Sequence, residues 1–139
     1  MEAGGGAPGA GSPPEPERLN QDGFAAFSRR TGEDSPVVML NLLAFKPDGG
    51  AERYAEYTVA VGPLLERVGG RVLFAGLASE VVIGDQRWDL VALAEYPTRQ
   101  AFIDMVDSPE YQEIAHLRTE ALERSELHPL DPSEVPAGG

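Results

Sequence analysis

The run Val37–Val38–Met39–Leu40–Asn41–Leu42–Leu43–Ala44–Phe45 is apolar on both alternating faces, which predicts a strand covered on both sides. Asn41 is the exception, on the face of Val37, Met39, Leu43 and Phe45, where a buried amide needs hydrogen-bond partners. After the turn Lys46–Pro47–Asp48–Gly49–Gly50 the period becomes helical. From Ala51 to Val68, Tyr54, Tyr57, Thr58, Val61, Leu64, Leu65 and Val68 form an inner stripe. Pro63 interrupts it and predicts a kink, and Gly69–Gly70 closes the helix. Arg71 to Gly84 reads as a second strand with a bend or bulge at Gly76. A turn at Asp85–Gln86–Arg87 leads into a third strand, Trp88 to Tyr96, making a hairpin.

Pro97 ends that strand, and Thr98 caps a short helix carrying Ala101, Phe102 and Met105. Ser108 with Pro109 starts the last helix, which runs to Leu122. Glu126 to Leu130 reads as a fourth strand, with Pro129 marking an edge. Ahead of all this, Asn20 caps a helix that Phe24 and Phe27 anchor as an N-terminal extension over 18–34. Residues 1–17 and 131–139 read as disordered tails around one domain, 18–130. Strand, helix, strand, strand, helix, strand is the ferredoxin-like β-α-β-β-α-β order, an α+β fold with an antiparallel sheet. Two helices cover one sheet face. The apolar character of the first strand on both faces calls for a second sheet, most simply from another copy in a homodimer.

The last helix carries one charge where the pattern asks for none. Tyr111, Ile114, Ala115, Leu117, Ala121 and Leu122 form its apolar stripe, and Arg118 falls within it. A buried guanidinium must meet a carboxylate, a carbonyl or a bound anion. Glu95 and Asp104 are the internal partners the chain offers, or the head reaches past the helix edge; the alternative is a substrate carboxylate or enolate held by the bidentate fork. Glu95 and Arg118 are the two candidates for a catalytic role, with Glu95 a general base if burial raises its pKa. Asn41, Tyr54, Tyr57 and Arg118 are the candidate ligand-binding residues. His116 lies on the polar helix face and His128 beside Pro129, so neither is placed for catalysis, and Trp88 reads as packing or a pocket mouth.

Composition removes several function classes. The 139 residues carry a net charge of −12, which opposes binding to nucleic acid and to anionic membrane surfaces. There is no cysteine, so thiolate ligands, thiol nucleophiles and disulfides are excluded. Two separated histidines with no paired spacing give no metal motif, and no phosphate-binding glycine loop or serine-nucleophile elbow occurs. No membrane-length apolar run and no signal-like N-terminus is seen, so the expectation is a cytoplasmic protein without cofactor or metal.

Several local patterns together resemble the domain-of-unknown-function 1330 family: Tyr54 and Tyr57, Gly69–Gly70–Arg71, Glu95–Tyr96–Pro97–Thr98, and Ser108–Pro109–Glu110–Tyr111 with Ile114, Ala115 and Arg118. The stretch Asn41 to Lys46 is similar to a branch with an additional N-terminal helix, and the resemblance runs from Leu19 to Pro129. It implies a dimeric α/β-barrel, the superfamily of cofactor-independent aromatic-polyketide monooxygenases, muconolactone isomerases and haem-binding peroxidase and chlorite-dismutase relatives. The haem branch would need a pocket-facing histidine, which His116 does not supply. The expected function is binding of a small organic carboxylate or phenol in the helix–sheet cleft, with cofactor-free monooxygenase- or isomerase-like chemistry. The competing expectation is a non-catalytic dimerisation or ligand-sensing module.

Overall fold

The first strand, β1, spans Val37–Phe45 and pairs on both sides, which satisfies its backbone and explains its apolar run. Its neighbours are β3 (Leu90–Tyr96) and β4 (Leu122–Leu130), with β2 (Arg71–Leu77) outside β3. The order β2-β3-β1-β4, all antiparallel, is the ferredoxin-like sheet. In this computed structural model, which describes residues 18–134, the sheet is open rather than closed into a barrel. The expected tail at 1–17, and residues 135–139 of the tail expected at 131–139, lie outside the described residues.

Helices α2 (Gly50–Arg67) and α4 (Pro109–Ala121) lie on one face of the sheet and pack on each other. Two capped helices complete the fold: α1 (Gln21–Ser28) and α3 (Arg99–Val106). Asn20 accepts from the Gly23 amide, Thr98 from Ala101, and Ser108 from Tyr111. The Gly69 φ of +83° ends α2 in the left-handed region.

The core has two centres on the helix side of the sheet. One gathers Phe27, Val37, Met39, Leu65, Tyr96 and Met105; the other gathers Leu43, Tyr54, Tyr57, Ala121 and Leu122. Leu43, Leu122 and Val37 are fully enclosed, and such side chains each contribute about 1.5–3 kcal/mol.

The differences from expectation are local. Phe27 is buried but Phe24 is 43% exposed, so α1 is anchored by one phenylalanine, not two. β2 ends at Leu77 rather than Gly84; Val82 and Ile83 are 89% and 94% exposed in the connection to β3, which has no tight turn. The register shift falls between Val72 and Phe74, not at Gly76. β4 begins at Leu122, directly after α4, and Pro129 does sit on an edge strand. Asp131, first residue of the expected C-terminal tail, accepts from Arg30 at 2.9 Å and from Arg99 at 3.2 Å. That tie fastens the end of β4 to α1, with the Arg99 guanidinium 4.7 Å from the Phe27 ring.

Candidate functional site

Between the two core centres the side chains are too small to fill the space. Ala92 and Ala94 on β3 and Ala75 on β2 form the floor, and Ala51, Ala55, Thr58 and Gly62 on α2 form the roof. The result is a cavity of about 430 Å³. A Cβ added at Gly62 would meet nothing within 4 Å, as expected of a wall facing empty space.

Register decides which residues see this cavity. Asn41 pairs with Ala92 and Met39 with Ala94, so the alanines and the Asn41 side chain share the helix-facing side. Asn41 lines the cavity, its Nδ2 donating to the Met39 carbonyl at 3.2 Å. Tyr54, Tyr57 and Arg118 line it too, so the four residues picked out as ligand-binding candidates face one space. Arg118 is only 8% exposed and its guanidinium carbon lies 5.8 Å from the Tyr57 ring centroid, within cation–π range.

Phe45, Tyr54 and Tyr57 form an aromatic wall that continues outside the lining to Tyr111. Ring centroids are 5.5 Å apart from Phe45 to Tyr54, 5.4 Å from Tyr54 to Tyr57 and 6.3 Å from Tyr57 to Tyr111. The Tyr57 and Tyr111 hydroxyls are 2.9 Å apart. Burial holds the Tyr57 phenol well above its ordinary pKa, reinforced by Tyr111 and opposed by the Arg118 charge. Tyr96, also a cavity wall, is pushed up by burial as well. Both are neutral hydrogen-bonding groups at physiological pH.

Glu95 is not part of this arrangement. It pairs across the sheet with Val38, on the outer face, and its carboxylate accepts from Arg71 at 3.0 Å. The expected approach of Glu95 to Arg118 is therefore not made, because adjacent strand positions point to opposite faces. Asp104, the other internal partner considered for Arg118, accepts from Gln100 on its own helix. His116 is exposed, and His128 lies on β4 within 2.8 Å of Glu126. Trp88 stacks on Arg124, 4.4 Å from ring to guanidinium carbon, rather than lining the cavity. Among the described residues no cluster of three or more His, Asp or Glu could hold a metal ion. No helix among the described residues is long and apolar enough to cross a membrane.

Tyr111 and Tyr96 were not among the candidates. The sequence placed Tyr111 in the α4 stripe and Tyr96 opposite Glu95, but their nearness to Tyr57 and to the cavity depends on helix–helix and helix–sheet contacts.

A family model described as Domain of unknown function (DUF1330) matches residues 49–127, more than half of the chain. The chain belongs to this family. The DUF1330 match takes in Tyr54, Tyr57, Tyr111 and Arg118, while Asn41 and α1 precede it. A protein of unknown function from Rhodopseudomonas palustris is 36% identical with a TM-score of 0.77, covering 87% of this chain and 98% of that one. Two more distant structures share the fold. A dimeric ferredoxin-like protein of unknown function from Jannaschia sp. CCS1 is 13% identical, TM-score 0.59, covering 70% of this chain and 100% of that one. The hydroxynitrile lyase of Passiflora edulis is 13% identical, TM-score 0.58, covering 74% and 98%. Among curated proteins there is no match.

Proposed function

We propose that this DUF1330 protein binds a small organic molecule bearing a carboxylate or phenolic group in the cleft between α2 and the sheet. The observation that carries the reading is a cavity of about 430 Å³ whose wall holds one cation, Arg118, together with the Asn41 amide and the Tyr57 phenol. Cavities of this size, mostly apolar with a few convergent polar groups, are the usual form of small-molecule sites. The fold alone says little about reaction, since the same architecture serves a lyase and proteins of unknown function.

The finer form of the proposal is cofactor-free chemistry of the monooxygenase or isomerase kind. Such chemistry needs a base, and among the described residues that line the cavity there is no carboxylate or imidazole. Tyr57, held protonated by burial, donates a hydrogen bond rather than taking a proton. That observation favours the second reading, a non-catalytic ligand-sensing module, unless the substrate enters already ionised.

We place the binding unit in a homodimer. The sheet face away from the helices is apolar at its centre, with Leu40, Leu42, Val91, Leu93 and the 58% exposed Phe74. It is rimmed by the Arg71–Glu95 and His128–Glu126 pairs. An apolar centre with a charged rim is the anatomy of a protein interface. The proposal as a whole is tested by native mass spectrometry of the purified protein for a retained ligand, followed by thermal-shift screening of small carboxylic acids and phenols. Saturable stabilisation by members of either class is expected; a protein that neither retains nor responds to any of them is not a small-molecule binder of this kind.

A further inference from the structure

The connection from β2 to β3, residues 78–89, is bare at its tip and fixed along its return. Val82 and Ile83 are almost fully exposed, and Gly84 turns the chain at a φ of +115° directly after them. Arg124 on β4 then ties the returning limb. Its guanidinium stacks on Trp88, donates to the Gln86 side chain at 3.1 Å and donates to the Arg87 carbonyl. Asp89 ends the limb, its carboxylate accepting from the Phe45 amide and its amide donating to the Leu43 carbonyl, both at 2.7 Å. In the order β2-β3-β1-β4 the connection thus leaves one edge strand and is held at the other. Arg124 pairs with Ala44, next to the core residue Leu43, so the tie stands on the outer sheet face, away from the chain's own cleft. A second bare apolar surface lies on β2, where Val72 and Leu77, 57% and 82% exposed, border the open side of that cleft.

We infer that this connection is an arm for a second copy of the chain: Val82 and Ile83 of each protomer lie on the partner's β2 edge and close the open side of its cleft. The inference rests on the homodimer and the cleft proposed above, and adds that each cleft is completed by the other protomer. Three observations select a second copy as the occupant. The tie at Arg124 is on the sheet face proposed as the interface, so the arm continues that surface. Ile83 stands three residues from Gln86, a reach of about 10 Å, which is the spacing of two packed sheets. Leu77 and Arg124 lie at the same end of the sheet, through the pairings Leu77–Leu90, Leu90–Leu43 and Leu43–Ser125. With the two-fold axis along the strands, the partner's β2 lies opposite β4 and brings its Leu77 end to the arm. The same operation covers the arm tip and the β2 edge of both protomers.

The chain has no cysteine, so introduced thiols report alone. Full-length Leu77→Cys and Ile83→Cys chains are co-expressed and treated with the short cross-linker bismaleimidoethane. Both sites are exposed, so neither change removes core packing. A covalent dimer joined from 77 to 83 is expected, identified by peptide mass mapping. Either variant treated alone keeps its two thiols at opposite edges of the dimer and is expected to give none. Ile83→Asp, in an otherwise unchanged chain, is expected to weaken the dimer about tenfold in sedimentation equilibrium, because a charge then sits in a desolvated contact. Combined with Leu77→Cys it should also speed alkylation of that thiol by iodoacetamide at concentrations where the dimer persists. A dimer that gives no 77–83 link, or that Ile83→Asp leaves as tight as the parent, overturns the arm while leaving the sheet-to-sheet dimer in place. A link formed with no change in the alkylation rate overturns the closing of the cleft. A parent chain that sediments as a monomer overturns the arm and the homodimer together.

Discussion

The hydroxyls of Tyr57 on α2 and Tyr111 on α4 meet at 2.9 Å, joining the two helices beside the aromatic wall of the cavity. Each hydroxyl can serve as the other's partner, and Tyr57 is buried. Tyr111→Phe leaves the Tyr57 hydroxyl without this bond and is expected to cost about 1–3 kcal/mol. Removing both hydroxyls together, Tyr57→Phe with Tyr111→Phe, should cost less than the sum of the single changes, because no polar group is then stranded. Urea denaturation of the three variants closes the cycle. Additive losses would mean that the pair does not act as a unit.

The same phenol gives a pH dependence. Burial raises the Tyr57 pKa above its unfolded value, so its neutral form is what the fold favours. Its contribution is complete below the ordinary tyrosine range near pH 10 and is lost as pH rises through the higher folded value. The tyrosinate absorption of the folded protein should therefore develop later than in denaturant. In Tyr57→Phe that late component shrinks to the share of Tyr96, whose phenol burial also pushes up. A single transition at the unfolded position would contradict a buried phenol.

Two glycines of α2 separate open space from close packing. A methyl at Gly62 meets nothing within 4 Å, so Gly62→Ala should gain about 0.5–1 kcal/mol through helix propensity. At Gly50 the same methyl would stand 2.6 Å from the Ala121 backbone oxygen and 3.1 Å from the Phe45 Cβ. Gly50→Ala is therefore expected to destabilise by about 1–3 kcal/mol, the range for overpacking. Thermal melts of the two variants should move in opposite directions; equal shifts would contradict the assigned walls.

Much of this was legible in local pattern. The bounds of β1, the Asn20, Thr98 and Ser108 caps and the inward stripe holding Arg118 each follow from periodicity and cap chemistry, and they fall where the chain predicts. The helix-facing side of β3 did not follow. Glu95 shares a face with Val91 and Leu93, and only the pairing of Asn41 with Ala92 turns that face away from Arg118. The cavity itself had a signal, the alternating Ala92 and Ala94, but small apolar residues in a strand read equally well as tight packing. Val81, Val82 and Ile83 have strand-like chemistry yet lie beyond the end of β2, where Val82 and Ile83 are exposed and lack the half-buried surface that strand propensity expresses.

The tie at Asp131 predicts an acid-sensitive α1. Hydrogen bonds from Arg30 and then Arg99 hold the Asp131 carboxyl below its usual range, and Arg30 does the same to Glu33. A depressed folded pKa means that the stabilisation is present above the unfolded value, near pH 4, and is lost as pH falls through the folded one. Amide exchange in α1 should accelerate in that window before the sheet unfolds. Asp131→Asn should exchange faster already at neutral pH, with a smaller further change on acidification. Protection in α1 that is unaffected by Asp131→Asn would show that Phe27 alone holds the helix.

The outer sheet face yields the last prediction. Phe74 and Leu93 are cross-strand partners on that face, opposite the side that carries the cavity. In a homodimer joined sheet to sheet, Phe74→Glu places a charge at the apolar centre of the interface, which is costly when desolvated and not when the face is wet. Sedimentation equilibrium should then show a dimer for the parent chain at micromolar concentration and a monomer for the variant. The melting temperature of the parent should rise with protein concentration, as mass action requires, and that of the variant should not. Because Phe74 is 58% exposed in the single chain, its replacement removes little from the monomer's own core. A parent chain that sediments as a monomer would leave this apolar face uncovered and remove the basis for the dimer.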